Sequence, residues 1–377
     1  MSGPLAELRI IELAGVGPGP FAAMMFADHG AEVIRIDREG RPAIPGDPLE
    51  RGRLTIKLDL KTDAGREALL KLAASADALI DPYRPGRIET LGLGPKALHD
   101  VNPRLVIGRI TGWGQTGPLS QQAGHDVNYL ALSGLLAGMG TKGHRPVPPA
   151  NLVADYGGGA MMLCFGMLAA LLEVRGGAQH GRVVDAAMSE GSALLGSFLF
   201  GAFNAGLWRQ GAEANALDGG APLYGTYRCS DGAYLAVGAI EPSFRRQFLQ
   251  ALDLAGDALF EEDHPSRWPD QREAIEARIG AEPRAYWLDV FDGRDACVAP
   301  VLDLETAPTH PHHQARGAFA RLEGHMVPAP APRYGDGAEP FPARRERGGE
   351  AIRALLQSVG VERKTIDQIL GSPNGSD

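Results

Sequence analysis

A histidine and an aspartate thirty residues apart are the residues whose types and surroundings could do acid–base chemistry. His125 follows Gly124, and Asp155 comes just before the glycines of residues 157–159. Each lies where a loop is expected to give way to a helix, so that unpaired backbone N–H groups and the side chain can both face a ligand. A histidine and a carboxylate that face each other across a small site can remove a proton from one face of a carbon. They can return a proton to the other face near neutral pH.

The segments that must position these residues alternate between apolar strands and helices. We predict strands over residues 8–13, 32–37, 54–60, 78–80 and 105–110, with helices over 21–29 and 65–76 between them. Such an alternation is typical of an α/β fold in which a parallel sheet packs between helices. From about residue 126 to 208 the chain is predicted to be mostly helical, with a short strand over 182–185.

Near Pro222 the sequence pattern changes from mostly helical to that of short strands, which predicts a second, smaller domain. Residues 224–229 and 234–240 flank a turn sequence and predict a hairpin, followed by helices over 241–252, 270–278 and 284–291. We therefore predict a large α/β domain over residues 1–224 and a small α+β domain over 225–320. Residues 321–377 are predicted to return to the large domain through a helix at 350–358, with a disordered end.

Composition and charge exclude several classes of function. The chain has 377 residues and a net charge of −9, without a sustained basic stripe, so we expect no nucleic-acid partner. The apolar stretch over 157–172 is short for a bilayer crossing, and the first residues lack the pattern of a secretory signal. The three cysteines are far apart and show no CxxC spacing, which fits a reducing cytoplasm.

Other candidate sites have a simpler structural interpretation. The glycine-rich turn over 15–20 misses the dinucleotide fingerprint because Pro20 occupies the last glycine position, so a tight turn before a helix is favoured. The cluster over 310–313 has no carboxylate or cysteine at metal-ligand spacing and is expected to be a polar loop. Cys164 lies in an apolar run and is expected in the core.

Basic residues follow two of the predicted strands. Arg38 comes after the second strand, and Tyr83 and Arg84 follow the fourth, with Arg87 close behind. The carboxyl ends of strands are where open α/β sheets bind ligands, so these residues could hold the phosphates of an anionic ligand. The residues alone leave two alternatives: His125 could be a structural histidine, and Asp155 could serve only as the N-cap of the following helix.

Several longer motifs are specific enough to indicate a family. They include Gly3-Pro4-Leu5, Pro18-Gly19-Pro20-Phe21-Ala22-Ala23, Tyr83-Arg84-Pro85-Gly86, Gly112-Trp113-Gly114-Gln115-Thr116-Gly117-Pro118, Gly124-His125-Asp126, Val147-Pro148-Pro149, Asp218-Gly219-Gly220-Ala221-Pro222, Ala239-Ile240-Glu241-Pro242 and Asp295-Ala296-Cys297-Val298-Ala299-Pro300-Val301. Spread over about residues 3–335, these motifs resemble the α-methylacyl-CoA racemase branch of the class III CoA-transferase (CaiB/BaiF) family.

The resemblance implies a large Rossmann-like domain, a smaller domain and an interlocked homodimer. Its active site would lie between the large domain of one subunit and the small domain of its partner. His125 and Asp155 would act on opposite faces of the thioester α-carbon, and Glu241 would orient the histidine. Asp126 is expected to open a helix, so its backbone N–H is the candidate donor to the enolate oxygen, with a side chain that fixes the loop as the alternative role. The expected CoA-binding residues are Arg38, Leu58, Asp59, Lys61, Tyr83, Arg84, Gly124 and Tyr129.

The sister branch of the family separates the two candidate reactions. CoA-transferases resemble this chain at Asp155 but use that aspartate as a nucleophile, and they typically carry tyrosine where this chain has His125. The histidine supplies the second acid–base group, so epimerisation of 2-methylacyl-CoA is expected, with CoA transfer as the alternative. A non-catalytic acyl-CoA-binding protein is a third, weaker interpretation.

Two further expectations follow from the resemblance. CoA is part of the substrate, and no metal, flavin or nicotinamide cofactor is expected because the thioester itself acidifies the α-carbon. Racemases of this branch carry arginine where this chain has Thr90, so a phosphate contact would be lost unless Arg87 replaces it. Met161 and Met162 are a weak suggestion for the acyl surface, since such residues are more often core.

Overall fold

A six-stranded parallel sheet forms where apolar runs predict strands. The computed structural model describes residues 3–37, 47–262, 264–335 and 349–370. The chain folds into two compact units: a sheet unit (1–133, 150–195 and 310–377) and a hairpin unit (134–149 and 196–309). The domain boundaries expected from the sequence stay predictions.

The sheet of the first unit has the strand order β3-β2-β1-β4-β5-β6, and every neighbouring pair is parallel. The strands are β1 Arg9–Leu13, β2 Glu32–Asp37, β3 Arg53–Lys57, β4 Ala78–Asp81, β5 Val106–Thr111 and β6 Val183–Ala187. Helices cover both faces, so β1 is buried throughout its apolar positions, including Ile10, Ile11 and Leu13. The predicted parallel α/β sheet is confirmed.

Seven α-helices of the sheet unit connect and cover these strands. They are α1 Pro18–Asp28, α2 Asp63–Ala74, α3 Arg87–Thr90, α4 Pro95–Val101, α5 Asp126–Leu132, α6 Met162–Arg175 and α7 Met188–Leu195, with a short 3₁₀ turn at Pro48–Glu50. The predicted tight turn before α1 is confirmed, although the helix begins at Pro18 rather than at Phe21. Proline is well suited to the first helical turn because its missing N–H has no helical partner there.

A π-helix, Leu152–Met161, runs directly into α6. The π-helix packs against α7 through Gly158 and Gly191. A Cβ on Gly191 would lie 1.8 Å from the Gly158 carbonyl oxygen, so the contact has no room for a side chain there. Together the two segments form one helix of 24 residues, Leu152–Arg175, which is long and apolar enough to cross a membrane by length and composition alone. The expectation of a short apolar stretch was wrong because the helix begins at Leu152, but half of its most apolar window is buried, as in many core helices.

The hairpin unit is built on a three-stranded antiparallel sheet in the order β7-β8-β9. Its elements are α8 Ser197–Asn204, β7 Tyr224–Arg228, β8 Tyr234–Gly238, α9 Pro242–Ala251, α10 Trp268–Ile279, α11 Arg284–Phe291 and β9 Val298–Pro300, with 3₁₀ turns at Leu136–Gly138, Ala258–Phe260 and Ala307–Thr309. The predicted hairpin and its three following helices are confirmed. Tyr227, Phe248, Ile275 and Trp287 are buried in its core.

The C-terminal part of the sheet unit adds a hairpin and three helices. These are α12 Pro311–Arg316, β10 Phe319–Leu322, β11 His325–Pro328, α13 Gly349–Ser358 and α14 Arg363–Leu370. The predicted helix at 350–358 is confirmed as α13, and Leu356 and Ile366 join the core on the face of the sheet that α2 covers. The loop predicted at 310–313 was wrong, because Pro311 begins α12. The predicted disordered end lies outside the described residues.

Candidate active site

Segments that follow the carboxyl ends of β1, β4, β5 and β6 surround one cleft of about 410 Å³, here called the His–Asp cleft. Five of the site residues predicted from the sequence line it, namely Arg84, Gly124, His125, Tyr129 and Asp155. Gly17, Trp113 and Asn151 also line it. The structure therefore brings the two proposed acid–base residues into a common space at the sheet edge where open α/β folds bind ligands.

His125 is the N-cap residue of α5, so its predicted position at a loop-to-helix junction is confirmed. Its backbone is extended, with φ −133° and ψ 174°, and its N–H donates to Oδ1 of Asn128 at 3.0 Å. The imidazole is exposed to the cleft side of the chain, where solvent and a ligand can reach it. The cap fixes the backbone of the histidine at the start of α5.

Asp155 lies in the first turn of the π-helix rather than ahead of a helix, so the N-cap alternative was wrong. Its Oδ2 accepts a hydrogen bond from Nδ2 of Asn151 at 3.3 Å. Burial raises the pKa of Asp155, and the nearby charge of Asp126 raises it further, whereas the Asn151 bond and the charge of His125 lower it. A raised pKa favours the protonated acid, which is the form that can donate a proton.

Asp126, the residue after His125, is only 4% exposed. Its Oδ2 accepts hydrogen bonds from the backbone N–H groups of Ala154 and Asp155, both at 2.8 Å. The Asp126 side chain thus fixes the local backbone, as one of the two alternatives from the sequence had it. Its own backbone N–H is the first of α5, a position with no partner inside the helix.

Gly17 brings the turn after β1 against the carboxylate of Asp155. It is the N-cap of α1 with φ +69°, and a Cβ at this position would lie 3.1 Å from Asp155 Oδ2. The positive φ favours glycine, and the contact leaves little room for a side chain. The glycine-rich turn therefore shapes the wall beside Asp155, a use that its sequence pattern alone did not indicate.

Tyr129 packs under the loop that carries His125. Its hydroxyl donates to the Gly124 carbonyl oxygen, and its ring meets Trp113 edge-to-face with centroids 4.8 Å apart. A Cβ on Gly112 would lie 2.1 Å from the tyrosine ring, so the close approach requires glycine there. Burial raises the pKa of Tyr129, which keeps the phenol protonated and able to donate to that carbonyl.

A second cleft of about 220 Å³, here called the Lys61 cleft, lies among residues at the end of β2 and residues that follow β1, β3 and β4. Four other predicted CoA-binding residues, namely Leu58, Asp59, Lys61 and Tyr83, line it, and Arg87 does so as well. Tyr83 and Arg84 are neighbours in sequence but line different clefts, so the loop after β4 contributes to both. Asp59 uses Oδ1 to accept the Lys61 N–H at 3.0 Å and so fixes its turn.

A buried carboxylate supports the loop between the two clefts. Oδ1 of Asp81, at the end of β4, accepts the N–H of Tyr83 at 2.9 Å, and its Oδ2 lies 3.2 Å from Nε of Arg109. Arg109 also donates to Glu89 of α3 at 2.8 Å. Burial raises the pKa of Asp81 to about 6. This network ties the loop and α3 to the sheet.

The remaining predicted site residues lie elsewhere. Glu241 belongs to the hairpin unit, where it is the N-cap residue of α9. Arg38 lies outside the described residues. Oγ1 of Thr90 donates to the Arg87 carbonyl oxygen at 2.7 Å within α3. Asn151 was missed, although its spacing of four residues before Asp155 is that of neighbours on a helix.

No group of three or more His, Cys, Asp or Glu side chains in the described part of the chain could hold a metal ion. His310 and His313 do meet, with ring centroids 5.6 Å apart, but without further ligands. Cys164 is buried as predicted, and burial raises the pKa of its thiol to about 12. A thiol so protonated at neutral pH is a poor nucleophile.

This chain is similar to known proteins over nearly its whole length. Alpha-methylacyl-CoA racemase from Mus musculus is 42% identical over 368 residues, which cover 97% of this chain and 96% of that protein. The racemase of the same name from Homo sapiens is 41% identical over 367 residues, with the same coverage. A CaiB/BaiF family protein from Brucella suis has a structure with a TM-score of 0.82 at 23% identity, covering 94% of this chain and 100% of that one.

The model of the family described as CoA-transferase family III matches residues 5–348, which contain both clefts and the hairpin unit. With relatives above 40% identity along the same length, the assignment does not depend on any single motif. The chain belongs to CoA-transferase family III.

Proposed function

We propose that this protein is a racemase that interconverts the 2R and 2S epimers of 2-methylacyl-CoA thioesters. The observation that carries the proposal is that His125 and Asp155 line one cleft, in a chain 42% identical to a protein named alpha-methylacyl-CoA racemase. Racemisation needs two acid–base groups, one for each face of the α-carbon. The His–Asp cleft supplies a pair with suitable protonation chemistry.

The two groups would work as partners in a balanced proton exchange. Neutral His125 takes the α-proton of one epimer, and protonated Asp155 donates its proton to the opposite face of the planar enolate. The enzyme is then left with imidazolium and carboxylate, which is the form that processes the other epimer in reverse. Each positioned acid or base contributes roughly 10²–10⁴-fold to the rate. The raised pKa of Asp155 favours proton uptake by its carboxylate, which this direction of the cycle requires.

The enolate oxygen requires a hydrogen-bond donor that is already in place. The backbone N–H of Asp126 is our candidate, because it directly follows His125 and opens α5 without an intrahelical partner. One well-placed donor to a developing oxyanion is worth on the order of 10²–10³-fold. The Asp126 side chain, which holds the neighbouring helix, leaves this N–H free for that role.

The Lys61 cleft would hold the nucleotide end of CoA. Lys61 and Arg87 supply positive charge for phosphates, and Tyr83 supplies an aromatic face beside them. The pantetheine arm would then pass over the loop after β4, which carries Tyr83 in one cleft and Arg84 in the other. Arg38 directly follows Asp37, a lining residue of this cleft, and remains part of the proposed CoA site.

We also propose that the active form is a homodimer in which Glu241 of one subunit approaches His125 of the other. An apolar stripe on one side of the long helix supports this, namely Met161, Phe165, Leu168 and Leu172. Phe165 and Leu172 are 74% and 73% exposed in the single chain. A soluble monomer rarely exposes such a contiguous row of large apolar side chains. A second copy that covers this stripe would explain its composition.

Subunit complementation tests the shared site. His125→Ala and Glu241→Ala chains would be co-expressed with different tags, and the mixed dimer purified through both tags. One of its two sites would combine an intact histidine with an intact glutamate, so activity well above either homodimer is expected. Mixed dimers as inactive as the parents would contradict a shared site, and a chain that sediments as a monomer would contradict the dimer.

The racemase proposal itself is tested by proton exchange. One epimer of a 2-methylacyl-CoA is incubated with the protein in D₂O, and the α-position is followed by NMR with no carboxylic acid added. Deuterium incorporation with loss of stereochemical purity is expected. Absence of exchange across branched fatty acyl, bile-acid-like and aryl-propionyl thioesters would overturn the proposal.

CoA transfer is the second candidate, because both branches of the resemblance use an aspartate at the position of Asp155. A transferase would move CoA to an added carboxylic acid with ping-pong kinetics, through an anhydride on Asp155. The same incubation with an acceptor acid separates the two reactions. CoA on the acceptor without α-exchange would assign the transferase.

We expect racemisation to need no metal or redox cofactor, since the thioester carbonyl delocalises the enolate charge. We further propose a reducing, cytoplasmic location, consistent with three cysteines that are all free. Full turnover by protein treated with a chelator and freed of small molecules would support the first expectation. Fluorescence imaging of a tagged chain in its own host would check the second.

A further inference from the structure

We propose that Asp126 is a positioning residue that sets the spacing between the two proton-transfer groups, His125 and Asp155. The inference rests on the proposed racemase function of the His–Asp cleft and deepens it. Asp126 is covalently next to His125, and its carboxylate is hydrogen-bonded to the backbone of Asp155, so one side chain connects both groups.

The contacts join two segments that are distant in sequence. Asp126 opens α5, and its Oδ2 accepts the N–H groups of Ala154 and Asp155 from the first turn of the π-helix, each at 2.8 Å. The first turn of a helix has N–H groups without intrahelical partners, and the carboxylate satisfies two of them. A shift of α5 along the π-helix would break both bonds, so the His125 backbone and the Asp155 backbone are held in one register.

A buried carboxylate makes this connection at a cost in desolvation free energy. Asp126 is 4% exposed, and its Oδ1 has no hydrogen-bond partner within the described residues. A buried polar atom left unpaired costs free energy, and a neutral acceptor of the same shape would satisfy the same two N–H groups. The carboxylate therefore suggests a second task besides connection, namely an electrostatic effect on its neighbours.

The charge acts on groups that face the same cleft. Burial is the main cause of the raised pKa of Asp155, and the charge of Asp126 raises it further, while the Asn151 amide and His125 act in the opposite direction. Burial and the charge of Asp155 raise the pKa of Tyr129, the charge of Arg84 lowers it, and Asp126 adds a smaller increase. Asp126 thus holds Asp155 in place and, by repulsion, favours the protonated form that donates to the enolate.

Two substitutions separate the bonds from the charge. Asp126→Asn keeps an oxygen that can accept both N–H groups but removes the charge, whereas Asp126→Ala removes both. We expect Asp126→Ala to lower kcat about 10²-fold through misplacement of the groups, with KM within a few-fold. Asp126→Asn should keep kcat within about tenfold, and the limb of its pH–rate profile that reports Asp155 should move to lower pH.

Asp77→Ala is the matched control. The Asp77 carboxylate accepts the Arg9 N–H at 2.8 Å at the amino edge of the same sheet, far along the strands from both clefts. This variant should lose stability without a change in kcat or pH profile. Thermal unfolding and CoA affinity of all three variants distinguish misfolding from misplacement, since a misfolded Asp126→Ala chain would also lose CoA binding.

Three results would overturn the inference while the wild type still exchanges the α-proton. Unchanged kcat in Asp126→Ala would show that the connection is dispensable. Equal loss in Asp126→Asn and Asp126→Ala would contradict the acceptor role, and an unmoved pH profile in Asp126→Asn would contradict the charge effect. Absence of exchange in the wild type would instead remove the proposed function, so the two failures are distinguishable.

Discussion

The His–Asp cleft and the Lys61 cleft lie on the same edge of one sheet but are built in different ways. In the first, Asp155 is flanked by Gly17 and its backbone is bonded to the buried Asp126. In the second, Lys61 and Arg87 are exposed side chains. The proposed proton transfer needs positions fixed to a fraction of an ångström, whereas phosphates can be bound by long charged side chains.

Breaking the proton-transfer pair should give the largest effect. His125→Ala and Asp155→Ala should each lower epimerisation by at least about 10²–10⁴-fold, because each removes one acid–base group. Binding of the CoA thioester, measured by calorimetry, should stay within a few-fold of wild type because the Lys61 cleft is untouched. Near-normal turnover in either variant would contradict a two-base reaction.

Gly17→Ala should have the next largest effect. The added methyl group would press on Asp155 Oδ2, and the backbone at φ +69° disfavours a side chain. We expect kcat to fall about 10- to 100-fold with little change in KM. Gly92→Ala is the control: it has a similar φ of +73° with nothing within 4 Å, and should lose stability alone. Equal kcat losses in both would point to general strain.

Arg87→Ala tests the second cleft and should change binding rather than chemistry. We expect KM for the acyl-CoA to rise about two- to fivefold, the range for an exposed ion pair, with kcat unchanged. The difference from wild type should shrink at high salt because exposed charges are screened. Arg175→Ala, an exposed arginine on α6 outside both clefts, controls for net charge. A fall in kcat would contradict the proposal that the Lys61 cleft binds CoA while the His–Asp cleft carries out proton transfer.

Thr90→Arg tests the same proposed phosphate contact and should have the smallest effect. The resemblance places arginine at this position, and here Thr90 only donates to the Arg87 carbonyl within α3. If a phosphate contact is missing, the added charge should lower KM by up to about fivefold. An unchanged KM would indicate that Arg87 already supplies the contact, and Arg87→Ala combined with Thr90→Arg would then restore the affinity lost in Arg87→Ala.

The elements around the site were largely predictable because their signals are local. Continuous apolar runs predicted the buried strands, and Gly17 followed by Pro18 marked the start of α1 within a few residues. Elements close to the C-terminal end were missed, namely α14 and the hairpin of β10 and β11. The π-helix was also missed, because nothing in the residues before Gly157 distinguishes it from a loop entering an α-helix.

The sequence by itself determined the parallel α/β sheet, the candidate pair His125 and Asp155, and the family, since motifs and strand patterns are properties of neighbouring residues. Only the tertiary structure decided that Asp126 bonds to the Asp155 backbone and that Gly17 touches its carboxylate. It also decided that Tyr83 and Arg84 face different clefts. Such contacts join residues distant in sequence, and they exist only once packing has placed the helices and turns at the sheet edge.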